Sequence, residues 1–196
     1  MQPNRLKGRR LLGLAMLALS LSLVAPPLDA QQMPVLRDNA LIEAARLGDL
    51  DRLKTAHASG LSVTALGRNG QSALHVASQW GQTLAVAQLL QMGATPDKRA
   101  RDGHTALSYA VSFGHVAIID HLLAAGADVD RPGPNYEVPL IMAARLGKDK
   151  ITARLVAAKA TLDETDSTGR TAMDWAEAMR QPKIIAQLKQ AAAEAR

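Results

Sequence analysis

A chain of 196 residues with 47% hydrophobic and 21% charged side chains is long enough for one packed domain and too apolar to be disordered. Aromatic residues make up only 3%, so we expect a core of Leu, Ala, Val and Ile, which favours closely packed helices and argues against an all-β fold. The net charge of +5 would suit a nucleic-acid partner, and the absence of cysteine excludes disulfide bonds.

The first thirty residues have the three-part plan of a secretory signal peptide. Residues 1–10 are basic, residues 11–25 are apolar, and "PPLDA" then ends at the small residue Ala30. A membrane anchor is the alternative, but about fifteen apolar residues fall short of the roughly twenty that a helix needs to cross a bilayer. We therefore predict a signal peptide at residues 1–30, cleaved after Ala30, followed by a linker at residues 31–37.

Cleavage would also remove most of the positive charge. The mature chain would carry 19 basic against 17 acidic side chains, a net charge of +2. It would have no run of Lys and Arg and no basic strand studded with aromatic residues, so no nucleic-acid partner is expected. Because no cysteine follows the apolar segment, lipoprotein-type attachment is excluded as well. For a Gram-negative source these features predict a periplasmic protein with no stable membrane insertion.

The remaining chain repeats every 33 residues. A large apolar residue recurs at Leu41, Leu74, Leu107, Leu140 and Met173, and alanine follows three residues later at Ala44, Ala77, Ala110, Ala143 and Ala176. Two glycine series follow, at Gly48, Gly81, Gly114 and Gly147 and at Gly60, Gly93 and Gly126. A large and a small residue on one face let helices approach closely, and the glycines end short helices. Each unit is therefore predicted to be two antiparallel helices and a loop, and the units to stack into a solenoid.

These segments resemble the ankyrin repeat, which has a 33-residue period and a T-P-L-H-x-A signature. The resemblance lies in "GQSALHVASQWG", in "DGHTALSYAVSFGH" followed by "LLAAGADVD", and in "VPLIMAARLG". It implies an all-α ankyrin-repeat solenoid of about five stacked helix-turn-helix units with β-turn or loop fingers, of the exported bacterial type. The repeats are predicted at residues 38–68, 69–101, 102–134, 135–167 and 168–190, with a C-terminal tail at residues 191–196.

Three departures from the pattern stand out. Lys159 and Arg180 occupy positions where glycine is expected, and "RPGPN" at residues 131–135 replaces the usual Asp-Gly turn. Its prolines remove backbone donors from that finger. A drifted loop is the simplest interpretation of this finger, and a functional loop is the alternative.

The histidines between residues 102 and 130 do not form a predicted metal site. His104 precedes the inner helix of repeat three and His115 follows it, about 13 Å away at 1.5 Å per residue, which exceeds what one metal ion bridges. His121 is turned about 120° around the outer helix from His115. Phosphate loops, nucleophile elbows and zinc-binding helix motifs are absent too. We therefore expect no enzymatic activity, no cofactor and no metal, whereas the resemblance gives His75 a hydrogen-bonding role at the helix start.

The resemblance places protein binding on the concave face, formed by the fingers and the exposed side of the inner helices. The finger residues are Arg68, Asn69, Gln71, Arg101, Asp102, His104, Asn135 and Glu137. The residues at the inner-helix ends are Arg46, Leu47, Gln79, Trp80, Ser112, Phe113, Arg145 and Leu146.

One row on that face is apolar, and we name it the apolar stripe: Leu47, Trp80, Phe113, Leu146 and Met179. Aromatic anchors flanked by arginine are typical of interface hot spots, whereas packing between repeats is the alternative explanation. The chain is expected to be monomeric by itself and to bind a protein of unknown identity. Exported bacterial proteins that it resembles include some that support a periplasmic catalase, and an immunity protein that neutralises a toxic effector such as a lipase is the alternative.

Overall fold

The computed structural model describes residues 38–195, so the predicted signal peptide and linker lie outside the described residues. Within that range there are ten α-helices in five antiparallel pairs and no β-strand. The pairs are α1 (Ala40–Leu47) with α2 (Leu50–Ala58), α3 (Ala73–Gln79) with α4 (Thr83–Gln91), α5 (Ala106–Phe113) with α6 (Val116–Ala124), α7 (Pro139–Arg145) with α8 (Asp149–Ala157), and α9 (Ala172–Ala178) with α10 (Pro182–Glu194). The predicted all-α solenoid is confirmed.

The core runs as one continuous layer through the stack. Each inner helix packs on the next inner helix and each outer helix on the next outer helix. The repeated leucines Leu41, Leu74, Leu107 and Leu140 are at most 1% exposed, as are the five alanines of the repeat, Ala44, Ala77, Ala110, Ala143 and Ala176. Because alanine leaves little side chain between the helix axes, neighbouring inner helices can approach closely.

The inner helices α1, α5 and α9 each follow a residue whose side chain satisfies a free N–H group of the first turn. The side chains of Asn39, Thr105 and Thr171 accept hydrogen bonds from the first turn of α1, α5 and α9. In repeat four, α7 begins instead with Pro139, which needs no such partner.

The predicted turn positions have left-handed backbone even where glycine is missing. Gly48 and Gly114 end α1 and α5 with φ of 71° and 85°. Arg180 adopts φ of 53° at the equivalent position after α9, and Lys159 adopts φ of 66° at the second glycine position, after α8; each conformation costs roughly 1–2 kcal/mol.

Four fingers precede the inner helices α3, α5, α7 and α9, and the same backbone hydrogen bond closes each one. It runs from Gly67 to Gln71 (2.8 Å), from Ala100 to His104 (2.8 Å), from Gly133 to Glu137 (2.9 Å) and from Asp166 to Arg170 (3.0 Å). The fourth-repeat finger stays closed despite its prolines because Gly133 supplies the N–H. A single 3-10 turn, Pro134–Tyr136, forms its tip.

The two ends of the stack are polar on their outer sides, as solenoid ends require. Helix α2 exposes Asp51, Arg52 and Lys54. Helix α10 continues to Glu194, so it includes most of the segment assigned to a C-terminal tail. None of the helices between residues 38 and 195 has both the length and the apolar character needed to span a membrane.

Candidate protein-binding face

In three repeats, a residue that precedes the inner helix pairs with a residue of that helix eight positions later. The pairs are the Asp38–Arg46 ion pair, the Gln71 Nε2 to Gln79 Oε1 hydrogen bond (3.2 Å) and the Glu137–Arg145 ion pair (2.7 Å). Repeat three differs, since the His104 ring lies 2.9 Å from Ser108 Oγ. Side chains predicted as contacts for a partner therefore also fix the fingers to the helices.

Glu137 corrects one predicted site residue. Its side chain is buried, with a relative exposure of 7%, and its two carboxylate oxygens accept hydrogen bonds from Arg145 at 2.7 and 3.0 Å. These bonds raise the pKa of Arg145. Glu137 is therefore not an exposed contact residue, because the finger folds its carboxylate back onto α7.

Tyr109 connects two fingers, and the prediction missed it. Its hydroxyl donates to Asp102 Oδ2 at 2.5 Å and accepts from Gln71 Nε2 at 2.7 Å. Its ring stacks on His104 with centroids 4.5 Å apart. Burial, together with donation to Asp102, raises the pKa of Tyr109, so the phenol remains a donor. The sequence offered one signal for Tyr109: it is a tyrosine in "TALSYA", at a position where repeats two and four carry the apolar residues Val76 and Met142. All three of these residues are buried.

The histidines have structural partners. His75 Nε2 donates to the Lys98 carbonyl oxygen (2.8 Å), and His75 Nδ1 accepts from the Ser72 N–H (3.1 Å), so the predicted hydrogen-bonding role is confirmed. Burial lowers the pKa of both His75 and His104. His115 Nε2 lies 3.2 Å from the Gln79 carbonyl oxygen. Within residues 38–195 no three His, Asp or Glu side chains are grouped as metal ligands would be.

The apolar stripe is exposed rather than packed between repeats. The exposed fractions are 56% for Leu47, 59% for Trp80, 53% for Phe113, 39% for Leu146 and 48% for Met179. Side chains packed between repeats would be nearly inaccessible to solvent, as Ala44, Ala77, Ala110, Ala143 and Ala176 are. Phe113 instead lies parallel to the His115 ring, with centroids 6.4 Å apart.

An open groove of about 770 Å³ lies between the fingers and the N-terminal part of the stripe. Its lining includes seven of the predicted site residues: Arg46, Arg68, Asn69, Gln71, Gln79, Trp80 and Asp102. Asn135, Glu137 and Arg145 line a separate depression beside Trp175, and Phe113 lines a third one near Lys148. The structure thus divides the predicted site into neighbouring surfaces along the stack.

Three exposed apolar residues outside the stripe were not predicted. Tyr136, at the tip of the fourth-repeat finger, is 75% exposed and has φ of 59°. Leu66 and Leu84 are 47% and 69% exposed. The repeat pattern offers no signal for Tyr136, because its finger departs from that pattern.

Comparison with known proteins agrees with the fold. Residues 41–133 match the family model for ankyrin repeats (three copies). A stretch of 52 residues is 52% identical to the Arf-GAP with ANK repeat and PH domain-containing protein cnt-1 of Caenorhabditis elegans. That stretch is 26% of this chain and 6% of the worm protein, so the similarity covers only a small part of the worm protein.

Proposed function

We propose, from the ankyrin repeats of this chain, that it is a non-enzymatic module that acts outside the cytoplasm and binds a partner protein on its concave face. Ankyrin repeats typically form interaction domains without catalytic activity. The single observation that carries the proposal is the exposed apolar stripe, to which each of the five repeats contributes one side chain.

The stripe has the character of an interface because it keeps large apolar side chains in water. Contiguous exposed apolar surface marks interaction sites in folded proteins, and Trp and Phe supply much buried area on binding. Arg46 and Arg145 flank the stripe, and each is held by a carboxylate that precedes its own helix, Asp38 and Glu137 respectively. The surface is therefore ordered before a partner arrives, which lowers the entropic cost of binding.

Three side chains on or near this face belong to the repeat framework. His75, His104 and Tyr109 are each hydrogen bonded within it.

A double variant tests the binding face. Trp80→Ala with Phe113→Ala removes two side chains that are more than half exposed, so the unfolding free energy should change by less than about 1 kcal/mol. Capture of the partner from a periplasmic extract should fall at least about tenfold, as expected for hot-spot anchors. Capture is measured by quantitative mass spectrometry, and unfolding by urea titration.

The matched control removes two exposed apolar residues outside the stripe. Leu66→Ala with Leu84→Ala should leave capture unchanged. If the stripe variant unfolds, the stripe stabilises the packing between repeats rather than binding a partner. If the folded variant captures the partner as well as the wild type does, the proposed face is wrong.

Export is tested separately. N-terminal sequencing of the protein recovered from the periplasm should begin at Gln31, the residue after the proposed cleavage position. An intact Met1 on a membrane-bound form would contradict export as a free protein.

The proposed client is a periplasmic enzyme such as a catalase, which the chain would support in oxidative-stress defence. This proposal rests on the resemblance to exported bacterial ankyrin proteins. The protein captured by the wild-type chain and lost by the stripe variant identifies the client. A catalase supports this role, whereas a toxic effector such as a lipase supports the immunity alternative.

A further inference from the structure

The apolar stripe has a regular spacing that is set by the packing of the inner helices. One stripe residue lies near the end of each of α1, α3, α5, α7 and α9, and these helices pack side by side. Packed helices lie about 8–10 Å apart, so the five side chains recur at about that interval over roughly 32–40 Å.

An α-helix laid along the stack comes close to this interval. Seven residues of a helix advance about 10.5 Å, just above the interval of about 8–10 Å, and return to within about 20° of the same face. Same-face residues of a β-strand recur about every 6.7 Å, which does not match. A polyproline segment, with three residues per turn and about 3.1 Å per residue, repeats every 9.3 Å or so, which lies within the interval. The spacing of the stripe is therefore compatible with both an α-helix and a polyproline segment.

Backbone hydrogen bonding separates the helix from the polyproline segment. A polyproline segment has no internal hydrogen bonds, so any C=O group that it turns toward the face costs free energy unless a side chain of the face donates to it. The Gln71 amide is not open to such a group, because it already donates to Gln79 and Tyr109. The fingers also use backbone groups to close themselves. The backbone of an α-helix needs no hydrogen-bond partners from the face, since its N–H and C=O groups bond to each other.

The exposed charges beside the stripe indicate which polar residues the partner helix carries. Among the exposed finger residues are Arg68, Arg101 and Arg170, with Asp102 as the only exposed carboxylate in the four described fingers. The guanidinium carbon of Arg170 lies 4.7 Å from the centroid of the Trp175 ring. Acidic side chains therefore complement the finger side of the stripe.

We infer that the apolar stripe binds an amphipathic α-helix of the partner protein, which lies along the stack with an apolar residue at every seventh position and acidic residues beside them. This inference rests on the proposed binding function and specifies its partner. The helix would place one apolar side chain against each repeat. Its length would be about 29 residues if it contacts all five.

Three labelled peptides of about 29 residues test this inference against the purified chain by fluorescence anisotropy. The first is helical and rich in Ala and Glu, with leucine at every seventh position. The second has the same composition with leucine at every sixth position, which turns successive leucines by about 120° around the helix. The third is rich in proline, with leucine at every third position.

The first peptide should bind at least about tenfold more tightly than the other two, a difference equal to about 1.4 kcal/mol. The Trp80→Ala, Phe113→Ala variant should abolish that preference, whereas Leu66→Ala with Leu84→Ala should preserve it. Replacing the peptide's glutamates with lysines should weaken binding. Equal affinities, preference for the proline-rich peptide, or no binding of the first peptide would each overturn the inference.

The two proposals fail in different ways. If the stripe variant loses its partner from the extract while the first peptide shows no advantage, the partner helix is wrong and the binding face stands. If the folded stripe variant captures the partner as well as the wild type does, the binding face fails too.

Discussion

At the scale of single residues, the least predictable contacts are those between repeats. The 33-residue pattern correctly places the leucines and alanines of the core, because their burial follows from the helix face they share. It does not place the Tyr109 hydroxyl between Gln71 and Asp102, since Gln71 lies 38 positions earlier in a different finger. It does not reveal the burial of Glu137 either, which depends on the fold of an atypical finger.

Tyr109→Phe tests the importance of that hydroxyl. The change removes one hydrogen bond to a carboxylate and one from an amide, while the ring and its stacking on His104 remain. We expect the unfolding free energy to fall by about 1–3 kcal/mol in urea titrations. Tyr136→Phe is the control, because its ring is 75% exposed. An equal loss in both variants would show that the network adds no stability.

At the scale of helices and fingers, His75 links two elements. It lies in the first turn of α3, and its Nε2 donates to Lys98 in the loop that precedes the next finger. The signature resemblance predicted this type of contact, because the signature histidine has the same position in the repeat. Only the structure shows that Nε2, rather than Nδ1, is the ring nitrogen that bonds to the loop.

Burial of His75 makes stability depend on pH. Because its folded-state pKa is lowered, the unfolded chain binds more protons below the usual histidine pKa of about 6.5. The wild-type chain should therefore lose stability as pH falls from about 7 to 5. His75→Gln should reduce that loss without removing it, since burial also lowers the pKa of His104.

Urea titrations at several pH values measure this slope. His121→Gln, at an exposed position on α6, controls for the loss of a histidine as such. A wild-type slope retained in full by His75→Gln would contradict the assignment.

At the scale of the whole molecule, each repeat covers the apolar face of its neighbour. Helices α9 and α10 pack on α7 and α8, where Ala143 and Leu155 have no exposed surface. A solenoid therefore loses stability from its ends when a terminal repeat is removed.

A chain ending at Thr165 tests this dependence on neighbours. Loss of repeat five exposes the faces of α7 and α8, so the urea midpoint should fall and the m-value should decrease. Deleting only residues 192–196, from the largely exposed end of α10, should change the midpoint little. An unchanged midpoint in the longer truncation would show that repeat five does not stabilise the stack.

The sequence by itself determined the period, the helix pairs, the turn positions and the residues that form the apolar stripe, because each follows from spacing along one chain. The tertiary structure alone decided that the stripe is exposed, that Glu137 is buried and that Tyr109 joins two fingers. The physical reason is that a repeat fixes which positions are equivalent, whereas exposure depends on what the neighbouring repeat and the finger place over each position. The same packing gives the stripe its interval of about 8–10 Å, which is close to the advance of about 10.5 Å per heptad of a partner helix.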